Sequence, residues 1–174
     1  GVVRASGPGV PSLVEALTGT LPPARHASFR AFHSPDGEIL DAGLLLYFPA
    51  PASYTGEHVC ELHGHGNPVV LQALLQTMCK LGARLARPGE FSERAFRHGK
   101  LDLAQAEAVA DLIESRSIRA ARSALRTLKG EFSAHILAMV ESVTRCRVAF
   151  EGAIDFPDDI PGDALAAAQH PHIE

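Results

Sequence analysis

RPGEFSERAFRHGKLDLAQAEAVADLIE, running from Arg87 to Glu114, divides the chain into two unlike halves. Pro88-Gly89 is a turn, and two helix starts follow it. Asp102 with Gln105 three residues later forms a capping-box signature, which predicts a helix to about Ser115. Lys100 sits in the Gly99-Lys100-Leu101-Asp102 corner just ahead of that helix. A lysine near a helix N-terminus opposes the helix dipole. An anionic partner, either Asp102 or a ligand, is therefore expected beside it.

Downstream of the corner, Glu90 to Phe150 holds no Pro and little Gly. A seam of Ile118, Ala121, Leu125, Leu128, Phe132, Ile136, Met139, Val143, Cys146 and Phe150 steps by three and four, the spacing of a helix stripe in a bundle. One long helix is expected, kinked at Gly130, where glycine costs ~1 kcal/mol relative to Ala. Such a stripe cannot stand alone. Leu125, Phe132 and Met139 should be partly exposed or buried against a neighbouring chain.

Upstream, Gly and Pro punctuate every few residues. Val2-Val3 reads as a strand end, and Pro11 to Leu17 as a short helix with an early Pro. His26 to His33 and Glu38 to Phe48 read as a hairpin about the turn Ser34-Pro35-Asp36-Gly37. Leu44-Leu45-Leu46 implies burial on both faces of its strand. His58 to His63 is a further strand, Val69 to Leu81 a helix closed by Gly82, and Arg84 to Arg87 a last strand. The expected class is α+β: a mixed α/β layer over residues 1–98, then a partial all-α segment with a long helix over 99–174.

Composition narrows the function. The 174 residues are 46% hydrophobic with a formal net charge of −4, which suits a globular protein and not a general polyanion binder. Gly1-Val2-Val3-Arg4 lacks the positive region and long apolar run of a signal peptide, and with no run of 18 apolar residues no transmembrane helix is expected. Cys60, Cys79 and Cys146 are widely spaced with no C-x-x-C pair, as expected for reduced thiols in the cytoplasm. The absence of an initiator Met leads to the expectation that the chain begins inside a longer protein. Neither a phosphate-binding G-x-x-x-x-G-K-[ST] loop nor a G-x-S-x-G elbow occurs.

Two further strings bear chemistry. In Glu61-Leu62-His63-Gly64-His65-Gly66, alternate residues of a strand would bring Glu61, His63 and His65 to one face, as in a facial metal triad. The two glycines favour a bend that breaks the alternation, so no metal is expected. Ser53-Tyr54-Thr55-Gly56-Glu57 is a polar turn, either self-capped or touching a ligand.

Several of these strings, in order, resemble the bacterial tRNA modification GTPase family MnmE (TrmE). They are Val3 to Gly7, Ser53 to Glu57, Glu61 to Gly66, Arg87 to Phe96, Lys100 to Ala108 and Ala153 to Pro157. The resemblance extends to about Pro161. It implies an N-terminal domain that binds 5-formyltetrahydrofolate or 5,10-methylenetetrahydrofolate and forms a homodimer, followed by the first segment of a central helical domain. By motif match the folate-contacting positions fall on Arg4, Glu61 and Lys100. A carboxylate such as Glu61 can accept adjacent pterin N–H donors, and the two cations suit the carboxylates of a folate tail. The family works with the flavin-dependent partner MnmG (GidA) in carboxymethylaminomethyl-type modification of the wobble uridine of tRNA at C5. Its GTP, magnesium and potassium sites lie in a GTPase domain that this chain lacks, so no GTP hydrolysis and no catalytic residue are expected here. A scaffold that dimerises without binding folate is the alternative.

Overall fold

The structure is a computed structural model and describes residues 1–155. Its N-terminal part is an antiparallel sheet of four strands covered on one face by two helices. The elements are β1 (Val2–Ser6), α1 (Val10–Thr18), β2 (Ser28–His33), β3 (Ile39–Phe48), β4 (Val59–His63) and α2 (Pro68–Lys80). The sheet order is β1-β4-β3-β2. The hairpin turn forms where expected: Ser34 N–H donates to Glu38 O at 2.8 Å, and Gly37 N–H to Ser34 O at 3.0 Å.

The period-2 geometry of the strands sorts their residues cleanly. Val3, Phe32, Leu45, Tyr47, Cys60 and Leu62 point to one face and meet Val10, Leu13, Val14 and Leu17 of α1 and Leu74 and Met78 of α2. The other face is only partly covered. Leu44 is 43% exposed beside the fully buried Leu45, so the leucine run is not buried on both sides. The reason is that both helices pack on a single face, which leaves Phe29 and Val2 exposed as well.

Arg84 to Arg87 forms no strand. It flanks a cavity that β1 also lines, and its polar groups turn to Glu90 instead of a ladder. The helical part follows: α3 (Glu90–Arg97), α4 (Leu103–Glu114), α5 (Ile118–Leu128) and α6 (Glu131–Asp155). Between α3 and α4 the chain is held tightly. Lys100 N–H and Leu101 N–H both donate to Ala95 O, at 2.8 and 3.4 Å. The capping box of α4 is complete, with Asp102 and Gln105 each bonding the other's amide at 2.8 and 2.9 Å.

The expected single long helix is two helices. Gly130 has φ +86°, the left-handed region that stops a helix and that glycine adopts without a Cβ penalty. Its N–H closes the end of α5 on Thr127 O, and its carbonyl accepts Ala134 N–H at the start of α6. Two side-chain bonds then tie the helices together: Gln105 Nε2 to Leu128 O at 3.0 Å, and Ser133 Oγ to Asp102 Oδ2 at 2.6 Å. Much of the apolar seam stays open, with Leu125 41%, Phe132 52% and Met139 57% exposed. Phe156 and Pro157 of the Ala153–Pro157 motif, the stretch to Pro161 and the tail 162–174 lie outside the described residues.

Candidate functional site

Antiparallel pairing of β1 with β4 sets Arg4 opposite Glu61. On the less covered face the Arg4 guanidinium donates through Nε to Glu61 Oε1 at 2.8 Å, with Nη2 at 2.6 Å from the same oxygen. Glu61 Oε2 lies 3.1 Å from His63 Nε2. Burial works to raise the Glu61 pKa, but the hydrogen bonds from His63 and Arg4 outweigh it and hold the carboxyl below its ordinary value. The group is therefore an anion at neutral pH, ready to accept further N–H donors.

His65 does not join this pair. The chain leaves the strand after His63, and His65 Nδ1 lies 2.8 Å from Asp41 Oδ1. A Cβ at Gly64 would meet Asp41 Oδ2, so any larger residue there would have to displace the carboxylate that His65 bonds. Among the described residues no three His, Cys, Asp or Glu side chains form a metal-sized cluster.

Arg4 also borders a cavity of about 470 Å³, within the usual size range of small-molecule sites. Its apolar wall comes from α1 and α2, through Leu13, Leu75 and Met78. Phe91 of α3 forms another wall and stacks under the Arg4 guanidinium at 5.7 Å, a cation–π distance.

The cavity rim is held by an ionic hub that the sequence did not reveal. Glu90, with its side chain 5% exposed, takes a forked pair from Arg84 at 2.8 and 2.5 Å. It also accepts the Arg87 amide at 2.9 Å and Arg94 Nη2 at 2.8 Å. The Arg84 bonds, then the Arg87 amide and Arg94, keep the Glu90 carboxyl far below the usual carboxylate range. Arg94 reaches on to Glu57 Oε2 at 2.7 Å and Ser6 O at 3.1 Å. Burial tends to raise the Glu57 pKa, but Arg94 and Ser6 together lower it.

The polar turn before β4 is satisfied within the protein. Ser53 Oγ donates to Glu57 O at 2.5 Å, and the fully buried Thr55 shares a 2.7 Å bond with Ser6 Oγ. His98 Nδ1 meets Thr55 O at 2.8 Å, and Gly56, at φ +79°, lies so close that a Cβ would reach the His98 side chain. The one local signal for this hub was the i, i+4 spacing of Glu90 and Arg94.

Lys100 is exposed, and its side chain has no carboxylate partner among the described residues. Asp102 does not serve it, because that carboxylate is taken by Ser133 and by the Gln105 amide. Of the three folate positions expected from the motifs, the structure joins Arg4 to Glu61 and leaves Lys100 at the corner without a bond to either.

The family model described as the GTP-binding protein TrmE N-terminus matches residues 1–100, and that of the MnmE helical domain matches residues 103–171. The chain belongs to the MnmE (TrmE) family. It is 57% identical over 159 residues to the tRNA modification GTPase MnmE of Stutzerimonas stutzeri, covering 91% of this chain and 35% of that protein. The namesake of Thiobacillus denitrificans is 60% identical over the same length, covering 91% of this chain and 36% of that protein. The chain thus spans about a third of the curated MnmE relatives that it matches. No helix among the described residues is long and apolar enough to cross a membrane.

Proposed function

We propose that this chain is the tetrahydrofolate-binding and dimerising portion of a tRNA-modifying MnmE GTPase, divided into a folate domain over 1–98 and the first segment of the helical domain over 99–174. The observation that carries the reading is the Arg4–Glu61 pair, whose arginine, though not its glutamate, lines a cavity with one aromatic and one aliphatic wall. A pterin is a flat ring with adjacent N–H donors. Glu61 supplies the fixed anion for them, Phe91 and Met78 supply apolar surface, and Arg4 orients Glu61 while presenting charge to the ligand. Lys100 supplies a second cation for a folate carboxylate. The folate brings the one-carbon unit; the protein binds and orients it. The exposed Val2, Phe29 and Leu44 on the less covered sheet face supply the apolar surface for a homodimer. In the longer relatives' setting the chain acts in the cytoplasm with MnmG on the tRNA wobble uridine, and GTP, magnesium and potassium belong to the GTPase part.

Calorimetric titration with 5-formyltetrahydrofolate tests this. Glu61→Gln should weaken binding about 10- to 100-fold, the size of a lost charge-assisted bond. A folded dimer with no folate affinity would leave only the scaffold reading.

A further inference from the structure

Helix α5 carries an unspent basic stripe. Arg116, Arg119, Arg122, Arg126 and Lys129 fall within fifteen residues that hold no Asp or Glu, in a chain whose formal net charge is −4. All five are exposed. At 100° per residue, Ala121, Ala124 and Leu128 share the inward face of α5, where Ala124 is buried. Arg119, Arg122, Arg126 and Lys129 then fall within an arc of about 80° on the opposite face. They cover a row about 15 Å long, at 1.5 Å per residue.

These side chains differ from every other arginine in the chain. Arg4, Arg84, Arg87, Arg94, Arg97, Arg145 and Arg147 each meet a carboxylate. Arg25 and Arg30 donate to backbone carbonyls. Among the described residues, the four arginines of the stripe donate to none. The carboxylates of the neighbouring helix, Glu107, Asp111 and Glu114, are exposed, and among the described residues none forms an ion pair with the stripe.

Four cations along one helix face repel one another, and an anion of matching pitch lying across them relieves that repulsion. Guanidinium forks pair with phosphate in two-bond geometry, which a lysine-rich surface does not offer. We propose that the outer face of α5 docks on the phosphate backbone of an RNA, contacting roughly three to four phosphates without reading bases. The choice of RNA over other polyphosphates rests on the proposed tRNA-modifying function.

The test uses the full chain and a fluorescently labelled unmodified tRNA transcript, followed by anisotropy from 50 to 200 mM KCl. Binding should weaken with salt. R119Q/R122Q/R126Q should lose at least tenfold in affinity at the lowest salt, and the slope of log K against log salt should fall by about 2 to 3. Each single Gln variant should reduce the slope by about 1, which keeps the test valid if the triple variant does not fold. R145Q/R147Q should change nothing. Unchanged binding in the stripe variants, or preference for phosphatidylserine vesicles over the transcript, would overturn the proposal. A chain that binds folate but ignores the transcript sinks the stripe alone, and one that binds the transcript but no folate sinks only the folate reading.

Discussion

Replacing Gly130 with Ala isolates the feature that makes two helices of one apolar seam. A Cβ at residue 130 would lie 3.4 Å from Gln105 Nε2, an ordinary contact, so space is not the obstacle. The cost is the dihedral: at φ +86° an L-residue is disfavoured by roughly 1–2 kcal/mol. Ala also restricts the unfolded chain, which returns about 0.4–1 kcal/mol. The net expectation is a loss of about 1 kcal/mol, or roughly 2–4 °C in melting temperature for a chain of this size. The sequence offers an escape, in which residues 118–155 fuse into one helix. That relieves the dihedral but forfeits the Gln105–Leu128 and Ser133–Asp102 bonds. Thermal unfolding followed by circular dichroism measures the balance, and Gly130→Asn is the control because asparagine tolerates the left-handed region better than alanine. Asn should be the milder substitution. An Ala variant more stable than the parent, or an Asn variant worse than Ala, would refute a left-handed residue at 130.

Other expectations concern the core, the ionic hub and the thiols. Leu62→Ala removes a fully buried side chain from between sheet and helices and should cost about 2.7–5 kcal/mol by urea unfolding; under 1 kcal/mol would mean that the site is not packed as described. Glu90, Glu57 and Glu61 all have folded pKa values below their ordinary 4.5. Depressed carboxyls contribute stability that is complete above the unfolded value and is lost as pH falls through the folded ones. Melting temperature should therefore drop steeply below about pH 4.5, and Glu90→Gln should flatten that drop; an unchanged acid limb counts against the hub. Burial pushes the Cys60 thiol up to about 12, whereas Cys79 is exposed. Iodoacetamide at neutral pH should label Cys79 and spare Cys60, as read by peptide mass spectrometry.

Local grammar was legible in the sequence where one residue type decides the geometry. Asp102 and Gln105 spell their capping box, and Ser34 to Gly37 spell their turn, because each signal completes itself within four residues. The Arg4–Glu61 juxtaposition was accessible only through the motif resemblance, since nothing in either string fixes strand register. The hub was not legible, because Arg94 and Ser6 are 88 positions apart. Gly130 misled because period reports where apolar residues recur and not which dihedral joins them. A glycine tolerated inside a helix and one that ends it look identical in the chain. Arg84 to Arg87 failed as a strand for a related reason: a strand needs a partner edge, and here the Arg84 side chain and the Arg87 amide bond the Glu90 carboxylate instead.

The corner between Arg97 and Leu103 also bears on how the protein can be cut. The two family models meet there, with a gap only at Leu101 and Asp102, which invites a truncation at that seam. In the folded chain the bonds of the corner fall almost entirely to one side of that seam or the other. Ala95 O holds two amides of the corner, His98 grips the 53–57 turn, and Asp102 anchors both its own helix and Ser133. A cut between Lys100 and Leu101 breaks only the 3.4 Å Leu101–Ala95 bond of this set, since His98 and Thr55 stay together in the N-terminal piece and Asp102, Gln105 and Ser133 in the C-terminal one. A break after Ser115, in the short connection before α5, is the costlier one, because it parts both Gln105 from Leu128 and Asp102 from Ser133 and so separates α4 from the helices that pack on it.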